Sequence, residues 1–126
     1  MKGLLRLAAG LEVGTALVLL ASPSLFARLL FGSSLASPGP GLGRLGGFAL
    51  LALVFACWPT HDGATRPAAH GMLLFSVLCA VYLMYRGIRG GATGPLLWPA
   101  AFLHAGLAVL LARASRRQRD PSGAPS

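Results

Sequence analysis

The sequence predicts an all-α fold: a polytopic membrane protein with four transmembrane helices in an up-and-down bundle. Four apolar stretches, residues 4–21, 42–58, 68–85 and 96–112, fill most of the 126-residue chain. Each approaches the roughly 20 residues needed to cross a hydrocarbon core of roughly 30 Å. Apolar residues make up 55% of the chain and charged residues 11%, against about 25% charged in a soluble domain. That is too little polarity to cover an exterior facing water. The breaks between stretches are short and rich in Gly, Pro, Ser and Arg, which suits helix–helix turns within one domain of residues 1–112.

The first stretch opens after Lys2 and Arg6, and small residues follow it, as in a secretory leader. Glu12 interrupts the run, Pro23 follows Ala21-Ser22, and three similar stretches come after. A retained first helix is therefore expected. Ser22-Pro23 reads as a stop and a restart, with serine as cap and proline in the first turn. Residues 24–31 (SLFARLLF) then suit a short interfacial helix. In it Arg28 reaches headgroups while Leu25, Phe26, Leu29 and Leu30 enter the acyl region. The competing reading is one long helix over residues 4–31, kinked at Pro23.

Residues 32–41 (GSSLASPGPG) read as a loop in which Pro38 and Pro40 oppose regular structure. Arg44 opens the second span and Trp58-Pro59 closes it. Residues 60–67 (THDGATRP) are the most polar connection, and residues 87–95 turn the chain between the third and fourth spans. Pro95 and Pro99 fit the opening turns of the last span, where a missing amide donor costs little. Residues 113–126 read as a basic juxtamembrane patch followed by a disordered tail. No internal repeat emerges.

Formal net charge is +8, with Glu12, Asp62 and Asp120 as the acids. The basic residues flank apolar spans, so anionic lipid headgroups, not nucleic acid, are the expected partners. With the N-terminus inside, the cytoplasmic face holds seven (Lys2, Arg6, Arg66, Arg113, Arg116, Arg117, Arg119) and the outer face four (Arg28, Arg44, Arg86, Arg89). Both termini are thus expected in the cytoplasm of a multi-pass protein of the cell (inner) membrane. Trp58, Trp98, Tyr82 and Tyr85 all fall at span ends, as an aromatic belt requires.

Glu12 and His104 are the candidate buried polar pair. Glu12 lies eight residues from one end of its span and nine from the other, and His104 lies eight residues into its own. A bare carboxylate at mid-membrane costs about 3 kcal/mol on insertion scales, so it calls for a neutral form, a partner or an aqueous cavity. Helical spacing sets Ala8, Ala9, Thr15 and Ala16 beside Glu12, and Ala100, Ala101 and Ala108 beside His104. Such small residues admit close backbones. The plainer reading is a hydrogen bond acting as interhelical glue, worth about 1 kcal/mol or less.

Gly10 and Gly14, and again Gly43 and Gly47, make GxxxG spacings suited to helix packing within the bundle or between subunits. Arg28, Arg44 and Arg86 are candidates for lipid or partner contact, with snorkelling as the default. His70 reads as an interfacial histidine, and Cys57 and Cys79 as buried small apolar residues. His61 and Asp62 hold a metal only with ligands the spacing does not reveal. His70 and His104 differ in depth, which disfavours a shared haem iron. No cofactor or metal set and no catalytic residue is indicated: paired carboxylates, HExxH, a phosphate loop and a nucleophile elbow are all missing from the sequence.

The runs GLEVGTALVLLASPSLFARLLFG (residues 10–32), GRLGGFALLALVFACW (residues 43–58) and GPLLWPAAFLHAGLAVL (residues 94–110) resemble a family of small, uncharacterised bacterial four-helix membrane proteins. The resemblance covers residues 8–112 and rests on Glu12 with Pro23, Arg44, and Trp98-Pro99 through His104. It implies architecture and a prokaryotic membrane, with no activity. The expectation is a membrane protein with a structural or accessory role, within a homo-oligomer or beside a larger membrane protein, and not an enzyme. The alternatives are a small proton-coupled transporter or exporter and a membrane enzyme acting on lipid or quinone. A lateral cavity containing His104 or Arg44 would favour the last.

Overall fold

The computed structural model describes residues 1–58, 65–90 and 93–117. Five helices follow one another: α1 (Lys2–Ala21), α2 (Pro23–Phe31), α3 (Gly39–Cys57), α4 (Thr65–Arg89) and α5 (Leu97–Arg117). All but α2 are long and apolar enough to cross a membrane. The chain is an up-and-down bundle of four spans with one short helix after the first.

Packing pairs the long helices two by two. α1 lies along α3 and α4 along α5, while the two pairs meet over much smaller surfaces. Buried residues on α1 recur as Leu5, Ala8, Ala9, Glu12 and Ala16, the spacing of a single helix face. Alanine there lets α3 approach, and α3 answers with glycine. A Cβ added at Gly47 would lie 2.9 Å from Leu20 Cγ and 3.1 Å from the Ala16 carbonyl.

At the end bearing the termini, Leu5, Ala8, Ala9, Val54, Cys57, Ala68, Ala69, Met72, Leu107 and Leu111 form one packed core. The other end is looser: Leu30, Leu83 and Ala101 make a small cluster flanked by Phe26, Phe31 and Ala100. Outward faces are greasy, with Phe55 81% and Ile88 75% exposed. In a bilayer those side chains meet lipid.

Several expected boundaries move. Ser22, at φ −148° and ψ 79°, separates α1 from α2, with Pro23 in the first turn, so the single kinked helix is replaced by two. Ser22 occupies the cap position, yet its side chain makes no capping hydrogen bond; the Ser22 amide instead donates to the Val18 carbonyl at 2.8 Å. α2 also does not present its whole apolar set outward. It buries Pro23, Ala27 and Leu30 and leaves Leu25 48% exposed.

The loop after α2 is shorter than expected because α3 starts at Gly39, with Pro40 in its first turn. First-turn amides have no carbonyl partner, so proline is tolerated there. α4 runs past Tyr85 to Arg89, and α5 past Ala112 to Arg117. Each carries two arginines in its last turn, where positive charge complements the helix dipole. The expected disordered tail is therefore helical through residue 117. Residues 118–126, and the His61–Asp62 candidate, lie outside the described residues.

A candidate ligand cavity floored by a buried polar pair

α2 folds back over the bundle and is tied there by its own backbone. The amides of Gly94 and Leu96 donate to the carbonyls of Leu30 and Leu29 at 2.9 and 2.8 Å. This contact with the last-turn carbonyls of α2 requires glycine: a Cβ at Gly94 would run into the Arg28 and Leu29 carbonyls. A Cβ at Gly43 would likewise lie 2.7 Å from Pro23 Cβ, so α2 is seated against α3 as well. The guanidinium of Arg86 lies over the Phe31 ring, 5.7 Å from its centroid, which adds a cation–π contact from α4.

Beneath α2 lies a cavity of about 730 Å³, lined by side chains from all five helices. Pockets that take small molecules run to about 300–1,000 Å³. Phe26, Leu29 and Leu30 line it from α2, which corrects the expectation that they enter the acyl region. The physical reason is the docking of α2: once Gly94 brings its backbone against the bundle, only its far face remains for lipid. Leu50 and Leu53 of α3, Phe75, Cys79 and Tyr82 of α4, Leu96 just before α5 and Leu103 within it supply further lining.

Glu12 and His104 both line this cavity. They sit where it ends and the packed core begins, since Leu5, Ala8 and Ala9 precede Glu12 in that core and Leu107 and Leu111 follow His104. His104 Nδ1 and Glu12 Oε1 are 3.8 Å apart, with the side chains 14% and 2% exposed. That separation is ion-pair range and too long for an N–H···O hydrogen bond of about 2.7–3.2 Å. His104 Nδ1 has no hydrogen-bond partner among the described residues. Its ring meets Phe75 edge-on at 5.9 Å, which fixes the imidazole plane. Thr15 does not join the pair; its hydroxyl donates to the Leu11 carbonyl at 3.1 Å.

Other candidates fare unevenly. Gly43 and Gly47 sit at close helix contacts, but Gly10 and Gly14 do not. Nothing lies within 4 Å of a Cβ added at either; Gly10 is exposed and Gly14 borders the cavity. Arg28 and Arg44 are exposed, whereas Arg86 is half-buried against Phe31. His70 is exposed and donates from Nδ1 to the Arg66 carbonyl at 2.8 Å, as suits an interfacial position. Cys57 is buried, Cys79 is half-buried, and both are free thiols. Among the described residues no group of three or more His, Cys, Asp or Glu is placed to hold a metal ion.

Sequence reasoning passed over Ser76, which is fully buried with an unpaired hydroxyl among the described residues. Its one signal was a polar residue midway along an apolar run. The aromatic wall of Phe26, Phe75 and Tyr82 was also missed, because nothing in local spacing brings α2 over α4. No family model, curated protein or solved structure matches the chain.

Proposed function

We propose that this chain is a multi-pass protein of the cell membrane that binds a lipophilic small molecule in the cavity under α2. Both termini lie in the cytoplasm in this reading, supported by the excess of basic residues at that end. The cavity then occupies the outer half of the span. The single observation that carries the reading is the position of Glu12 and His104: polar groups at the floor of an otherwise greasy chamber. Recognition sites combine apolar walls with a few placed polar groups, and an intramembrane ionisable residue marks function by default. The packed half below the floor suits a transporter closed on its cytoplasmic side, or a carrier that never opens there. It supports a through-channel less well.

Mass spectrometry of lipophiles co-purifying with the full chain in nanodiscs tests this. A molecule retained by the wild type and lost in Ala49→Trp and Ala100→Trp, both lining positions, is the expected result. Equal retention in all three proteins would remove the cavity from the account.

A structural or accessory role is the second reading, favoured by the approach of Glu12 to His104 across the two helix pairs. There the pair clamps α1 to α5, and the exposed, unpacked surface of α1 at Gly10 is available to another subunit or a larger membrane protein. Equal thermal stability of wild type, Glu12→Gln and His104→Gln would argue against a clamp.

A further inference from the structure

We infer that the cavity takes a lipophilic monovalent cation, with the Glu12 carboxylate as its counter-charge. This rests on the ligand-binding reading above and names the chemistry of its ligand. Glu12 is 2% exposed and lines the cavity, and the nearest basic atom is His104 Nδ1, 3.8 Å away. The group is buried, borders the chamber, and meets His104 at ion-pair range, beyond hydrogen-bonding distance.

The walls exclude the opposite charge. None of the lining residues is Lys or Arg. The basic side chains at that end do not line it: Arg86 rests on the lining residue Phe31, Arg89 on Tyr85, and Arg28 and Arg44 are exposed. An anionic head at the floor would face a carboxylate across a low-dielectric space. A neutral head would leave that carboxylate with His104, 3.8 Å away, as its sole ion-pair contact among the described residues. A small hydrated cation would have to shed its water in a chamber with almost no oxygen ligands.

A bulky organic cation avoids both penalties. Its charge is spread and weakly hydrated, and its apolar body matches the walls. Phe26, Phe75 and Tyr82 line the same cavity as Glu12, and aromatic faces attract cations. The volume of about 730 Å³ accommodates several rings or a branched alkyl body.

The test is equilibrium dialysis of radiolabelled tetraphenylphosphonium against the full chain in zwitterionic nanodiscs, with empty nanodiscs as background. Saturable binding is expected, weakened at least about tenfold in Glu12→Gln. Unlabelled cation should displace the label at least about tenfold more effectively than the neutral triphenylphosphine oxide. Equal binding by Glu12→Gln, or equal displacement by the oxide, overturns the inference. Should Glu12→Gln fail to fold, the displacement ratio in the wild type decides alone. Ala100→Trp separates the two layers of the argument. If it blocks both probes while the oxide competes equally, the cavity reading stands and the cation falls. If it blocks neither, both fall.

Discussion

The two halves of this bundle are built from the same four helices and are packed in opposite ways. Toward the termini, alanines and a few large side chains close on one another: Leu5, Met72 and Leu111 are wholly buried. Toward α2, residues at equivalent turns of those helices stand apart around a cavity. The difference teaches that a small chain need not be hollow throughout to hold a site. One half fixes the helix pairs against each other, and the other spreads under a nine-residue strap, α2. Glu12 and His104 mark the border.

The comparison makes quantitative predictions, the largest in the closed half. Leu111→Ala or Met72→Ala should lower unfolding stability by about 2–5 kcal/mol, since each leaves a void in packed surroundings. Leu103→Ala, at the cavity wall, should lose less than about 1 kcal/mol because its neighbours already face open space. Chemical unfolding in mild detergent measures both, and equal losses would break the contrast.

The strap comes next. Gly94→Val forces a Cβ onto the Arg28 and Leu29 carbonyls, so it should destabilise by about 1–3 kcal/mol and release α2. A cysteine placed at Ala27, which is 3% exposed, should then label rapidly with a maleimide. It should stay protected when Gly94 is intact. Rapid labelling in both would mean that α2 is not held.

Smaller effects sharpen the border and the outer surface. Glu12→Gln should change stability by about 1 kcal/mol or less, the scale of a polar contact between membrane helices, while its ligand binding falls far more. A loss several times larger would identify the pair as a clamp. Gly10→Leu should alter the stability of a single chain by no more than about 0.5 kcal/mol, because nothing packs there. A change in oligomeric state on size-exclusion chromatography with that substitution would place a partner on this face.

Much of the fold was legible. Apolar run length located four spans, with ends shifted by several residues where arginine-rich turns prolonged α4 and α5. The Ser22-Pro23 break separated α2 correctly, though through backbone geometry and not a serine cap. Depth counting placed Glu12 and His104 at one level, and the folded chain sets them 3.8 Å apart. The GxxxG spacing marks close packing within the chain at Gly43 and Gly47 but not at Gly10 and Gly14, because such spacing states only that two small residues share a face. It does not say which face turns inward.

What the sequence by itself determined is the set of segments that must become helices, their alternation and the shared depth of one acid and one imidazole. Hydrophobic length and residue spacing are properties of each segment, and they act before any helix meets another. Only the tertiary structure decided that α1 pairs with α3 and α4 with α5, that α2 docks through Gly94, and that a chamber remains above Glu12. Those features depend on which surfaces approach closely. That is set by small residues on separate helices meeting in space, a relation that no single stretch of chain contains.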